Sequence, residues 1–273
     1  MILSIVIVNF NAREHLVNCV QSLVSGRPAI EHEVIVVDNA SRDNSADAVA
    51  AGFPWAKLIR LPANAGFAAG NNAGIRASRG NLILLLNNDT VVPSGAIDAL
   101  VQALLAHSDA AVGGPRLVDA HGRPELSFGP MISPFGELRQ KLTMALHARE
   151  VAAVSSWVER ETRREQYVDW VSGACLLVHR ADAEAVGLLD ERYFLYTEDV
   201  DFCAAIRARG RRVLFTPAAQ IVHLRGRSRA TAAAAMTAAY RRSHLAFYEK
   251  HHPAWAPLLR LYLRLKGQLP PPR

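Results

Sequence analysis

Through its first 115 residues the chain alternates short apolar runs with amphipathic stretches, and this rhythm admits few architectures. The runs "ILSIVIVNF", "HEVIVVDNAS", "AKLIRLP" and "NLILLLNNDT" are rich in branched apolar residues and have strand length. Uninterrupted apolar character marks strands covered on both faces. Helix-forming stretches separate them. "REHLVNCVQSLVSG" stops at a glycine, "SRDNSADAVAAG" opens on capping residues, and "GFAAGNNAGIRASRG" and "SGAIDALVQALLAHS" follow the third and fourth runs. The alternation predicts an α/β fold with a doubly wound, mostly parallel sheet and helices on both faces. Ligands of such sheets gather at the carboxyl ends of the strands.

The fourth run turns sharply polar at Asn87, Asn88 and Asp89. Asp38 stands at the corresponding end of the second run. Turn geometry alone explains either acid taken singly. Parallel topology, however, brings both to one edge of the sheet. One or two strand-end carboxylates suit a hard divalent cation that completes its shell with a diphosphate and water. "YTEDVDF" adds Glu198, Asp199 and Asp201 at a helix start, where acids are also favoured for the helix itself. His223, in "QIVHLRGRS", has apolar neighbours and by itself reads as a core histidine. The first strand-helix turn, "NFNAREH", has no glycine, so a dinucleotide fingerprint is absent, as is a P-loop. Gly66, Gly70 and Gly74 fall four apart. Close helix packing and contact with phosphate both account for that spacing.

Beyond residue 116 the rhythm breaks. Residues 116–140 carry Gly122, Pro124, Gly129 and Pro130, and residues 137–166 are charged and helix-prone with little core pattern, which predicts an irregular insertion. Order returns with "YVDWVSGACLLVHR" as a strand, "ADAEAVG" as a short helix and a helix beginning near Glu198. "RRVLFTP" and "AQIVHLRG" read as two further strands, and the last 43 residues as helices with a proline-rich tail. A formal charge of +6 fits a phosphate-bearing partner. Aromatics make up only 7% and no basic stripe is interleaved with them, so no nucleic-acid partner is expected. Cys19, Cys175 and Cys203 are scattered and lack CxxC spacing, which argues against a disulfide framework or zinc site. The apolar run at residues 2–8 is short for a signal peptide, and nothing approaches the roughly 20 apolar residues of a membrane span. A cytoplasmic protein is expected.

Seven blocks, "LSIVIVNFNA", "VIVVDNASRDNS", "NAGFAAGNNAGI", "LLLNNDT", "WVSGACLLVHR", "FLYTEDVDFCAAIRARG" and "IVHLRGRS", occur in an order and spacing that resembles the family 2 glycosyltransferases of GT-A fold, especially the rhamnosyltransferase-like branch. The resemblance covers residue 3 to about residue 250. It implies a GT-A domain over residues 1–228, divided into a nucleotide-sugar-binding half (1–115) and an acceptor and catalytic half (116–228), with a helical extension over 229–273. It also implies inverting transfer of a sugar from a nucleoside diphosphate donor, dTDP- or UDP-linked and first of all L-rhamnose. The acceptor would be a hydroxyl of a saccharide or lipid-linked acceptor in cell-surface polysaccharide assembly. By this match Asp89 is the last acid of the metal motif and, with His223, holds Mg²⁺ or Mn²⁺. Asn87 occupies the place of the motif's first acid, where an amide can still bond a ribose, and Asn88 lies beside it on the donor side. Asp38 matches the acid that reads the nucleobase, with Val8 and Asn9 in the same pocket and Asn64, Gly66 and Asn71 near the nucleotide. Trp170 and Gly173 match the strand beneath the sugar and acceptor. Asp199 matches the catalytic base, with Glu198 as its acidic neighbour on the acceptor side.

That chemistry needs these residue types. A cation neutralises the departing diphosphate, so no acid has to protonate it. A carboxylate takes the acceptor's proton, and a single displacement inverts the centre. Asn87 in place of an acid motivates the alternative of a non-catalytic nucleotide-sugar-binding scaffold. Arg241 and Arg242 are candidates to meet the diphosphate of a lipid-linked acceptor. Residues 253–267 combine leucines and aromatics with Arg260, Arg264 and Lys266. They read either as a helix packed on the domain or as an interfacial helix on the inner face of the plasma membrane.

Overall fold

The computed structural model describes residues 2–149, 151–224 and 229–270. The residues 225–228 of the "IVHLRGRS" block, and with them the domain boundary expected at 228, lie outside the described residues. In the first part, β1 (Leu3–Asn9), α1 (Arg13–Gly26), β2 (His32–Asp38), α2 (Ser45–Gly52), β3 (Lys57–Arg60), α3 (Phe67–Ala77) and β4 (Leu82–Asn87) alternate as expected. The strands pair in parallel in the order β3-β2-β1-β4. The register sets Asn9 opposite Asp38 and Val8 opposite Asn87, so the polar ends of three strands lie side by side on one edge. β5 (Thr90–Val91) and α4 (Ala96–Ala106) follow.

The second part joins the same sheet in mixed directions. β6 (Ala110–Val118) leads through β7 (Phe128–Gly129) to two helices, α5 (Pro134–Ala148) and α6 (Ala152–Glu161), which form the insertion. Then come β8 (Gln166–Val168), β9 (Trp170–Val171), β10 (Cys175–His179), α7 (Arg180–Ala185), α8 (Glu198–Ala208) and β11 (Arg212–His223). β10 inserts antiparallel between β4 and β6, and β11 runs parallel to β6 and antiparallel to β5 and β8.

Three sequence expectations are corrected here. The single strand expected over "YVDWVSGACLLVHR" is β8, β9 and β10, broken first at Asp169, whose carboxylate accepts the Met131 N–H at 2.6 Å. It is broken again at Ser172–Ala174, where the Ser172 hydroxyl accepts the Ala174 N–H at 3.2 Å. The two strands expected at "RRVLFTP" and "AQIVHLRG" are one strand, β11, with a register shift between Thr216 and Gln220. That irregularity lies opposite Pro115, which has no N–H to give a ladder. β6 itself has no counterpart in the sequence reading, because Gly113, Gly114 and Pro115 interrupt its strand pattern. Gly114 is required there: a Cβ would stand 2.5 Å from that of Val171.

Helices cover both faces. On one face Leu16, Val20 and Leu23 of α1 and Ile97, Leu100 and Leu104 of α4 pack on Ile5, Ile7, Leu84 and Leu86. On the other, Ala68 and Ile75 of α3 and Val200, Phe202 and Ile206 of α8 pack on Val6, Val8, Ile35 and Leu85. The glycine spacing on α3 is now explained. A Cβ at Gly74 would lie 2.3 Å from Val6 Cγ1, and one at Gly70 would lie 2.8 Å from Val8 Cγ1. Those two glycines let α3 settle onto β1. Gly66 precedes the helix at φ +92°, and a Cβ there would meet the Phe194 carbonyl at 2.5 Å.

α9 (Arg229–His251) and α10 (Ala256–Leu265) complete the described chain. α9 is bound to the domain by polar contacts. Ser243 donates to the Leu195 carbonyl at 2.8 Å, and Lys250 and His251 meet the Asp201 carboxylate at 2.8 and 2.6 Å. α10 buries Ala256 and Leu263 and leaves Trp255, Leu258, Leu261, Tyr262 and Leu265 exposed. It therefore has a packed side and an open apolar side. Among the described residues no helix is long and apolar enough to cross a membrane.

Candidate active site

The strand ends at the carboxyl edge organise three clusters. The first is an amide and carboxylate group around β1. Asn9, fully buried, accepts from the Asn88 amide at 2.7 Å and donates to Ser41 Oγ at 3.1 Å. Asp38, also buried, accepts the Ser41 N–H at 3.1 Å and lies 3.5 Å from the Asn9 amide. Asn11 and Asp43 tie the two loops together by accepting the N–H groups of Arg42 and Arg13 at 2.7 and 2.9 Å. The structure thus brings Val8, Asn9, Asp38 and Asn88 into one preformed corner. Asn64 accepts the Gly66 N–H at 3.0 Å, which shapes the loop entering α3. Asn71 is buried and spends its amide on the Phe67 carbonyl at 3.0 Å, one turn back along its own helix.

The second cluster is built by sheet register. β5 pairs Thr90 with His223, so Asp89 and the histidine are neighbours. His223 Nε2 stands 3.3 Å from Asp89 Oδ1, and Nδ1 stands 3.1 Å from Glu125 Oε2. Burial would lower the His223 pKa, but hydrogen bonds and charge from the two carboxylates overcome it and raise the value to about 9. Asn87 projects nearby in sequence, with its side-chain carbonyl oxygen buried and without a hydrogen-bond partner. Its backbone N–H is held by the Ala174 carbonyl at 2.9 Å.

The third cluster is at the head of α8. Asp199 is partly buried and accepts from the Gly173 N–H at 2.8 Å and from the Val200 N–H at 2.9 Å. Burial raises its pKa, and those N–H groups oppose the rise. Glu198 is only 4% exposed and its Oε2 has no hydrogen-bond partner. Burial first, and the Asp199 charge second, raise its pKa well above the carboxylate range. Asp201 is committed to the fold through Tyr193, Lys250 and His251. The three acids of "EDVD" therefore have three different environments, and only Asp199 is a partly accessible carboxylate.

The remaining expected residues divide between the core, the Asp199 cluster and α9. Trp170 is a core residue whose indole N–H donates to the Pro130 carbonyl at 2.9 Å. Gly173 is in the site itself: a Cβ there would meet Asp199 Cβ at 3.3 Å. Arg241 lies over the Tyr240 ring and donates to Gln268 at 2.7 Å, and the buried Nε atoms of Arg241 and Arg242 have no partner. Sequence reasoning missed Glu125, whose surroundings of glycine and proline read only as a loop. It lines a cleft of about 1040 Å³ between the segment after β6 and the α5–α6 pair, with Met144, His147, Val158 and Arg160.

Comparison with known sequences decides the family. The family model described as glycosyltransferase like family 2 matches residues 2–256. The chain belongs to that family. This glycosyltransferase is 30% identical to an N-acetylglucosaminyl-diphospho-decaprenol L-rhamnosyltransferase of Mycobacterium tuberculosis, over 98% of its own length and 92% of the relative's. It is 28% identical to the low-salt glycan biosynthesis hexosyltransferase Agl10 of Haloferax volcanii, over 75% of this chain and 61% of that protein. In fold it is similar to a mannosyltransferase of Pyrobaculum calidifontis in complex with GDP-Man and Mn²⁺, with TM-score 0.61 and 18% identity, over 94% of this chain and 67% of that one. It is likewise similar to GalNAc-T7 with UDP, GalNAc and Mn²⁺, with TM-score 0.59 and 15% identity, over 81% and 43% of the two chains. The GT-A architecture expected from sequence is therefore the one observed.

Among the described residues no three His, Cys, Asp or Glu side chains form a group able to hold a metal ion. Asp89 and His223 offer one carboxylate oxygen and one ring nitrogen, 3.3 Å apart. Two protein donors fit a divalent ion that takes the rest of its shell from a diphosphate and water.

Proposed function

We propose that this glycosyltransferase moves L-rhamnose, with inversion, from a dTDP- or UDP-linked donor to a hydroxyl of a lipid-linked saccharide, in assembly of a cell-surface polysaccharide. The observation that carries the reading is the meeting of Asp89 and His223 beside a preformed polar corner, with the singly accessible Asp199 carboxylate at the head of α8. Asp38 and Asn9 bind the nucleoside, and Asn87 and Asn88 line the way to the diphosphate. Asp89 and His223 hold a divalent cation. When bound, that cation supplies positive charge that stabilises the departing diphosphate. The Mn²⁺ bound by the two similar structures and the activity of the mycobacterial relative support the metal and the donor class.

Asp199 acts on the acceptor. Its carboxylate takes the proton of the acceptor hydroxyl as that oxygen forms a bond to the anomeric carbon. The bond from that carbon to the diphosphate breaks, and its electron pair leaves with the diphosphate. Attack from the face opposite the leaving group inverts the centre. The Gly173 and Val200 N–H groups orient the base, and burial keeps its proton affinity above that of an exposed aspartate. The reading is tested by thermal-shift titration of UDP and dTDP with Mg²⁺ and Mn²⁺, followed by turnover of the rhamnosyl donors with a polyprenyl-diphosphate N-acetylglucosamine acceptor. A shift that needs both metal and diphosphate, with release of the diphosphate on turnover, is expected. Binding without any turnover would favour the scaffold alternative.

A further inference from the structure

We infer that Glu125 is a positioning residue that fixes the tautomer of His223, so that Nε2 rather than Nδ1 is offered to the cation. The inference rests on the proposed role of Asp89 and His223 in holding the metal. The strands build the arrangement from both sides of the histidine. β6 and β11 pair Val118 with Val222, which sets His223 just past the end of β6. The chain leaving β6 turns back on itself. Pro124 bridges Val118 in antiparallel fashion, and the Glu125 N–H donates to the Leu117 carbonyl at 2.9 Å. Glu125 is therefore carried on a backbone anchored to the strand that anchors His223, and its side chain is nearly buried at 8% exposure. On the opposite side, the Thr90–His223 pairing brings Asp89 to the other ring nitrogen.

A neutral imidazole has one N–H and one lone pair, and what faces one nitrogen decides the other. Both ring nitrogens face carboxylates, so the free ring can carry a proton on each; once Asp89 is committed to the cation, Glu125 at 3.1 Å is the carboxylate facing the ring that is left to accept an N–H, and it holds the remaining proton at Nδ1. The lone pair is then on Nε2, on the side of Asp89. Glu125 cannot share the same ion through that ring, because it lies at the far nitrogen. Its contribution is to the orientation and basicity of the ligand, as carboxylates behind ligating histidines commonly provide.

The test compares Glu125→Leu, Glu125→Gln and Asp89→Ala with the full chain, by Mn²⁺ electron paramagnetic resonance in the presence of UDP or dTDP. Thermal midpoints and imidazole ¹⁵N shifts of the Mg²⁺-loaded proteins are recorded in parallel. Glu125→Leu removes the acceptor and is expected to weaken Mn²⁺ binding by about 10- to 100-fold. Glu125→Gln keeps an acceptor oxygen without the charge and is expected to fall between it and wild type. The ¹⁵N shifts should report an Nδ1–H tautomer in wild type and its loss in Glu125→Leu. A folded Glu125→Leu with the wild-type Kd and tautomer would overturn the inference. If Glu125→Leu does not fold, an unchanged Kd in Glu125→Gln overturns it. Failure of wild type to bind Mn²⁺ under either nucleotide would overturn the metal reading and this inference with it, whereas loss only in Asp89→Ala would overturn the role of Glu125 alone.

Discussion

Glu198 and Asp199 are adjacent acids that the structure treats in opposite ways. Consecutive helical residues point about 100° apart, so the two face different surroundings. Glu198 is buried with an unpartnered oxygen, and burial first and the Asp199 charge second raise its pKa well above its ordinary value, which favours the neutral carboxyl. A neutral carboxyl and an amide have nearly the same shape and polarity. Glu198→Gln is accordingly expected to leave turnover within a fewfold of wild type, as steady-state kinetics would show; a loss of a hundredfold would move the base to Glu198. From sequence, only family resemblance chose between these two acids. Their difference depends on what packs around the head of α8, and no spacing rule encodes that. The placement of Asp38 and Asp89 on one edge of the sheet was legible because a parallel sheet collects strand ends. Glu125 was not, because its importance arises from a chain reversal that places it against a strand from the far end of the sequence.

At the scale of elements, the fit of α3 on β1 is tight enough to test. Alanine usually stabilises a helix relative to glycine by about 1 kcal/mol. At Gly74 the added methyl would sit 2.3 Å from Val6 on a central strand, and overpacking of that kind costs ~1–3 kcal/mol. Packing should win, so Gly74→Ala should lower the thermal midpoint; an unchanged or higher midpoint would show that the helix rides up without cost. A second element contact is pH-sensitive. Glu137 of α5 meets His244 at 2.9 Å and Tyr248 at 3.0 Å on α9, and also pairs with Lys141. Burial would raise its pKa, but His244 and Lys141 outweigh burial and hold it at about 2. Because the folded value is depressed, this stabilisation is complete above the unfolded value near 4.5 and is lost as pH falls towards about 2. The thermal midpoint of Glu137→Gln should therefore fall less than that of wild type between those limits, and parallel curves would contradict the linkage. The first four strands and their helices were legible because each pattern is local. β6, the break of β8 to β10 and the continuous β11 were not, since antiparallel insertion and a bulge opposite Pro115 are products of long-range pairing.

Across the whole molecule, the packed side of α10 and the open side bear on both sequence readings of this helix. Leu263 and Ala256 are buried, while Trp255, Leu258, Leu261, Tyr262 and Leu265 are exposed among the exposed Arg260, Arg264 and Lys266. An apolar face with a basic margin suits an anionic bilayer surface. Substituting Leu258, Leu261 and Leu265 together by aspartate should abolish co-sedimentation with anionic liposomes and leave the thermal midpoint nearly unchanged, since all three side chains are exposed. Wild type that stays in the supernatant with such liposomes would contradict the membrane proposal. Association there would bring the enzyme to the same surface as a lipid-linked acceptor.

In the proposed mechanism Asp199 works only in the displacement, after donor and cation are held by groups elsewhere on the sheet edge. Asp199→Asn keeps the shape and removes the proton acceptor. The most direct measurement pairs the donor Kd, in the presence of Mn²⁺, with single-turnover transfer to acceptor, in wild type and in Asp199→Asn. An unchanged Kd is expected, with transfer slower by a factor on the order of 10² to 10⁴. Transfer at the wild-type rate, or a loss of donor binding in place of a loss of rate, would contradict this mechanism.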